Sequence, residues 1–174
     1  MKSISRFSQQ GGFTLIELLV VISIIGILAG LSFTGVNGAL AAARRAQAKN
    51  DCVQIVIAIT AYETEYGKLP PGNFATVTKG LVETLTGQET DNNRRRHTFL
   101  EPKKATGNGR GGTNANGDYI DPWGNPYQIA MDTEYAGEIK AGAGSGKEEE
   151  TLRTKSAVWC LQNANLRTPI NSWD

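Results

Sequence analysis

The sequence predicts an α+β protein: a long amino-terminal helix, apolar along its first part and amphipathic along its second, packed on a small antiparallel carboxy-terminal sheet. Three observations lead there. A predominantly apolar run covers residues 13–33. Apolar residues at helical spacing continue beyond it as far as Tyr66, and short alternating segments at residues 127–132 and 156–162 have strand character. A chain of 174 residues has material for one modest globular domain and one membrane segment. Its formal net charge of +1 offers no concentrated basic surface, so no nucleic-acid partner is indicated.

The polar segment 1–12 carries Lys2 and Arg6 and no acid, which places it on the cytoplasmic side of a membrane. Residues 13–33 follow, about twenty residues that match a hydrocarbon core of about 30 Å at the helical rise of about 1.5 Å. Glu17 interrupts this run near its start. An unpaired carboxylate in lipid costs a few kcal/mol or more, so Glu17 either lies shallow enough to reach the headgroups or pairs with a cation delivered by protein. Gly26 and Gly30 stand four apart, as close helix approach in lipid requires and as ordinary transmembrane glycine usage also produces. Ala41-Ala42-Ala43 would suit an ordinary signal-peptide cut. The apolar run is longer than a signal core, contains Glu17, and continues its helical pattern through the alanines, which argues against that cut.

Residues 34–67 form the amphipathic part of the same helix, with a stripe at Cys52, Ile55, Ile59, Tyr62 and Tyr66 that should face a sheet. A helix from Phe13 to Tyr66 would measure about 80 Å. Gly67 suits a left-handed cap and Pro70-Pro71 forbid continuation. Residues 68–174 then make the globular domain. Residues 80–85 suggest a short second helix, and the polar, glycine-rich stretch 86–118 reads as a long surface loop. Its Arg94-Arg95-Arg96-His97 run is a docking patch for anionic partners or simply a solvated loop. Asp121-Pro122-Trp123-Gly124-Asn125-Pro126-Tyr127 reads as a turn entering a strand. Residues 138–151 read as a hairpin loop. Cys52 and Cys160 fit neither a zinc site nor a C-x-x-C redox pair. They are two small buried apolar residues, or a disulfide if the domain lies outside the cytoplasm.

The stretch G-G-F-T-L-I-E-L-L-V-V-I-S-I-I-G-I-L-A closely resembles the cleavage and methylation segment of type IV pilins and type II secretion pseudopilins. The resemblance implies that a prepilin peptidase cuts between Gly12 and Phe13 and methylates the new amine of Phe13. It also implies that Glu17 of one subunit neutralises that amine on a neighbour and sets the register of a fibre. D-P-W-G-N-P-Y, Tyr66-Gly67-Lys68-Leu69-Pro70, Lys79-Gly80-Leu81 and Asn171-Ser172-Trp173 resemble, in the same order, the major pseudopilins of type II secretion. The implied partners are other pilin-like subunits in a homopolymer, the prepilin peptidase, an inner-membrane assembly platform and membrane lipid. The implied location is the inner membrane, with one pass and a periplasmic carboxy-terminal domain.

That subfamily commonly binds calcium in the loop before its terminal tryptophan. The corresponding residues 163–171 offer Asn163, Asn165, Thr168 and Asn171 and no carboxylate, so calcium retention is doubtful and no cofactor is expected. A single histidine, with no nucleophile elbow and no phosphate-binding loop, gives no basis for an enzyme. The expected function is a pseudopilus subunit supporting type II protein secretion; the alternative is a type IV pilus subunit for adhesion, motility or DNA uptake.

Overall fold

The computed structural model of the chain describes residues 12–107, 110–161 and 169–173, with backbone alone at residues 32–35. Two helices, α1 (Leu15–Tyr66) and α2 (Lys79–Thr86), are followed by six short strands. These are β1 (Gly112–Thr113), β2 (Tyr119–Ile120), β3 (Gln128–Met131), β4 (Ile139–Ala141), β5 (Glu150–Leu152) and β6 (Ser156–Trp159). The chain divides into two units, one ending at Ala41 and one running over Ala42–Asp174. This is the α+β arrangement that the sequence predicts, a long amino-terminal apolar helix followed by small antiparallel sheets.

In the first unit the large side chains of α1 point outward on every side of the helix. Leu15, Ile16, Leu18, Ile22, Ile25, Ile27 and Leu31 are all exposed, as is Phe13 just before the helix.

In the second unit most apolar residues of α1 fall on one buried face, with Ile57 left exposed. Ala48, Cys52, Ile55, Ala58, Ile59 and Tyr62 are each completely buried, and Tyr66 is half-buried. Burying an isoleucine side chain stabilises by about 1.5–3 kcal/mol, so Ile55 and Ile59 together hold this face firmly to what lies beneath it. Beneath it lie Leu81 and Leu85 of α2, Ile129 of β3, and Val158 and Cys160. The helix stops as its sequence requires. Gly67 takes φ 70° and donates its N–H to the Glu63 carbonyl at 2.7 Å, closing the last turn in a conformation that side chains disfavour.

β3 and β6 pair antiparallel, from Gln128 opposite Trp159 to Met131 opposite Ser156. Because side chains alternate along a strand, Ile129 and Val158 join the helix-facing core while Ala130, Ala157 and Trp159 face the other way. That second face is covered by Ile139 and Ala141 of β4 and by Leu152 and Trp173. All four residues of β6 are therefore buried, which explains why S-A-V-W-C has a near-continuous apolar run rather than an alternating one. β4 and β5 pair antiparallel with Ile139 opposite Leu152, so residues 138–151 are a paired hairpin whose strands contribute to the core. β1 pairs with β2.

The stretch 86–118 differs from a surface loop. It carries β1, and it buries Leu100 and Asn93. Asn93 is the reason: its Nδ2 donates to the carbonyls of Thr84 (2.8 Å) and His97 (2.7 Å). Its Oδ1 accepts from the Tyr66 hydroxyl (2.7 Å) and the His97 N–H (3.0 Å). One amide thus uses its full hydrogen-bonding capacity to fasten the loop between α1 and α2.

Candidate functional site

The sequence singles out Gly12, Phe13 and Glu17, and the structure brings the three together around the first turn of α1. Residues 12–14 have no regular structure, and the helix begins at Leu15. Phe13 is 75% exposed, and a side chain built at Gly12 would meet nothing within 4 Å. The Gly12–Phe13 peptide bond therefore lies in an open, non-helical stretch, the condition a protease cleft demands of its substrate.

Thr14 is a fourth participant that the pattern reading overlooks. Its N–H donates to Glu17 Oε2 at 2.8 Å and its hydroxyl donates to the same oxygen at 2.7 Å, while the Glu17 N–H reaches back to Thr14 Oγ1 at 3.3 Å. This is a capping box, in which Thr14 and Glu17 satisfy each other's otherwise unpaired backbone N–H groups. The signal was in the sequence as T-x-x-E ahead of an apolar run. Glu17 also sits in the first turn, where the helix dipole favours a negative charge. Within a single subunit the carboxylate is thus held by its own helix start, oriented and available.

Downstream of Glu17, α1 is long and apolar enough to cross a membrane by length and composition. An exposed apolar surface of this extent requires lipid or other helices as cover. Around Gly26 and Gly30 nothing of the described chain lies within 4 Å of a built side chain, so both positions are open to an outside neighbour.

In the second unit the described polar side chains tie the loops to the helix and the strands. Glu65 on α1 pairs with Arg95, and His97 Nε2 lies 3.5 Å from the same carboxylate, so the Arg94–His97 run folds back on the helix. The turn at 121–125 is built by Asp121, whose Oδ1 accepts from the N–H groups of Trp123 (2.8 Å) and Asn125 (2.9 Å). Burial pushes the Asp121 carboxyl above the usual range, against those backbone donors. Asp51, buried on α1, accepts from the Tyr127 hydroxyl at 2.9 Å. Burial raises Asp51 as well, against the Tyr127 bond and the Lys103 charge. Trp159 Nε1 donates to the Ala143 carbonyl at 2.9 Å, and Trp173 stacks edge-on to Trp159 with ring centres 6.0 Å apart. Among the described residues no group of three or more His, Cys, Asp or Glu could hold a metal ion. The candidate calcium stretch 163–171 lies outside the described residues at 163–168, and the leader lies outside them over residues 1–11.

Residues 7–33 match the family model described as the prokaryotic N-terminal methylation motif, and residues 39–84 match one described as a protein of unknown function. The type II secretion system core protein G of Pseudomonas aeruginosa is 33% identical over 141 residues, 80% of this chain and 87% of that protein. Its Escherichia coli counterpart is 32% identical over 148 residues, 82% of this chain and 87% of the relative. The fimbrial protein EcpC of Eikenella corrodens is 35% identical over 79 residues, 45% of this chain and 50% of that protein. No solved structure matches the chain.

Proposed function

The chain belongs to the core protein G family of type II secretion systems, and we propose from that premise how its residues serve a pseudopilus. It is a pseudopilin, a structural subunit of type II secretion. The observation that carries the reading is the first unit itself: a helix apolar on all sides, headed by Glu17 and preceded by an open Gly12–Phe13 bond.

In the proposed sequence of events the prepilin peptidase hydrolyses the Gly12–Phe13 bond and methylates the Phe13 amine. The polar leader is residues 1–12. Residues 13–33 anchor the subunit in the inner membrane, residues 34–67 continue the helix, and residues 68–174 form the periplasmic domain. On assembly the Glu17 carboxylate meets the cationic amine of a neighbouring Phe13. Both charges then lie among packed helices, where a buried pair is tolerated and a broken one costs about 3–5 kcal/mol. Thr14 keeps Glu17 satisfied until that partner arrives. The subunit acts by assembling rather than by catalysis, with other pilin-like subunits and an inner-membrane assembly platform as partners.

Intact mass and amino-terminal sequencing of membrane-extracted protein, produced beside a prepilin peptidase, test the processing step. A mature terminus at Phe13 with one added methyl group supports it; a terminus near Ala43 overturns it.

A second reading, a type IV pilus subunit, rests on the fimbrial match, which covers less than half of this chain. Supplying the chain to a type II secretion system lacking its own core protein G separates the two. Restored release of folded cargo supports the pseudopilin; restored surface pili in a pilin-deficient strain, without cargo release, supports the pilus subunit.

A further inference from the structure

Cys52 and Cys160 are the only cysteines of the chain, and both are buried as free thiols in the same core cluster. Cys52 stands on the buried stripe of α1 and is completely buried; Cys160 follows the last residue of β6 and is 1% exposed. Both belong to the core cluster that joins helix to sheet, and Cys52 lies close enough to Cys160 to raise its thiol. The backbone around Cys160 is fixed independently, since its N–H donates to the Ile170 carbonyl at 3.0 Å while the adjoining β6 pairs with β3. Two thiols buried in one core cluster, on two rigid elements far apart in sequence, are placed on the two layers that a cross-link would join.

We propose that in the exported protein Cys52 and Cys160 form a disulfide that staples helix α1 to the strand layer. The inference rests on the periplasmic placement proposed above, because only an oxidising compartment lets such a bond persist.

The oxidant is a protein disulfide donor of that compartment. One cysteine thiolate attacks the donor's disulfide and forms a mixed disulfide, releasing one donor thiolate. The second cysteine then attacks the first cysteine's sulfur and displaces the other donor sulfur. Two protein thiols lose two electrons, the donor's disulfide gains them, and the two protons end on the donor's thiols. Neither thiol is accessible once the core has closed, so the exchange takes place while the domain is still folding. The neighbouring Cys52 and burial raise the Cys160 thiol, so in the reduced, folded protein Cys160 is a poor nucleophile and its oxidation after folding is slow.

The consequence is mechanical. α1 supplies both the membrane segment and the buried stripe of the domain, so a force that draws the subunit into a fibre by its helix also strains that stripe. A covalent tie at Cys52, between Ala48 and Ile55 of the stripe, holds the strand layer to the helix as it moves.

The test uses the full-length chain, produced in cells with and without their periplasmic disulfide donor, extracted in detergent, denatured, and treated with a maleimide before and after reduction. In parallel, protease is added to spheroplasts to report where the domain lies. The proposal expects a domain that protease reaches, no maleimide adduct before reduction, two after it, and an intact mass lighter by two hydrogens. It also expects two adducts before reduction in cells lacking the donor. Two adducts before reduction on a protease-accessible domain from cells that have the donor overturn the disulfide alone. Two adducts on a protease-protected domain overturn the periplasmic placement and the disulfide with it. Reduction of the oxidised protein should lower Tm by roughly 10 °C, as expected when a cross-link closing a loop of about 100 residues is opened; an unchanged Tm overturns the staple.

Discussion

The two halves of helix α1 draw on the same apolar residues and bury them in opposite ways. Ile25 and Ile27 in the first half are 58% and 65% exposed, whereas Ile55 and Ile59 in the second are 0% exposed. The difference lies in arrangement. Around Ile25 apolar residues, interrupted only by Ser23 and by glycines, surround the helix, while around Ile55 the buried ones, Cys52, Ile55, Ile59 and Tyr62, recur at three and four residues and Gln54, Ile57, Thr60 and Thr64 are left exposed. A helix apolar on one face finds its partner in its own chain; a helix apolar on every face needs partners from outside it.

Matched truncations are the most severe way to break this comparison. Ile55→Ala or Ile59→Ala should destabilise the globular domain by about 2–5 kcal/mol, through lost burial and a cavity under the helix. Ile25→Ala should leave its stability within about 0.5 kcal/mol of the parent. Thermal unfolding of the detergent-extracted chain, followed by near-ultraviolet circular dichroism, measures both. Equal losses at Ile25 and Ile55 would show that the first half packs on the domain after all.

Asn93→Ala sharpens the comparison from the side of the domain. It leaves the Tyr66 hydroxyl and the Thr84 and His97 backbone groups short of the partners they have now, at a cost of about 3 kcal/mol. The same melts read it, together with faster hydrogen exchange at Phe99 and Leu100, whose N–H groups bond the Leu85 carbonyl.

The long helix, its stop at Gly67, the buried stripe, the D-P-W-G-N-P-Y turn and strands β3 and β6 were legible in the sequence, because each rests on periodicity or local turn chemistry. The anchoring of 86–118 was not. It depends on one amide, Asn93, whose four partners come from three separate places in the chain, and a polar residue in a polar stretch gives no local sign of burial. β4 and β5 were hidden for a related reason, since glycines and glutamates obscure the alternation that Ile139, Ala141 and Leu152 carry. Of the candidate site, Gly12, Phe13 and Glu17 were legible, and Thr14 is equally so through its T-x-x-E spacing to Glu17.

A smaller effect is expected at Asp51. Its folded-state carboxyl is raised above the unfolded value, so its contribution is fully present at low pH and is lost as pH rises through the folded value. At neutral pH the buried charge is therefore a cost. Asp51→Asn keeps an acceptor for the Tyr127 hydroxyl and removes that charge. Compared with the parent, the variant should hold or gain up to about 1 kcal/mol at neutral pH, and the advantage should shrink as pH falls. A difference that instead grows toward low pH would reverse the assignment.

The central claim, that the first half of α1 exists to meet other subunits through Glu17, is tested most directly by Glu17→Leu beside Thr14→Ala. Both remove the capping box, at a cost of about 1 kcal/mol to the helix start; only the first removes the carboxylate. Each is produced with the assembly machinery, checked for membrane fractionation, and scored for sheared or cross-linked fibres. Both variants should insert in the membrane, Thr14→Ala should still form fibres, and Glu17→Leu should form none, because each Phe13 amine would enter the fibre without its partner. Normal fibres from Glu17→Leu would contradict the account, reducing Glu17 to a helix cap and placing the register elsewhere.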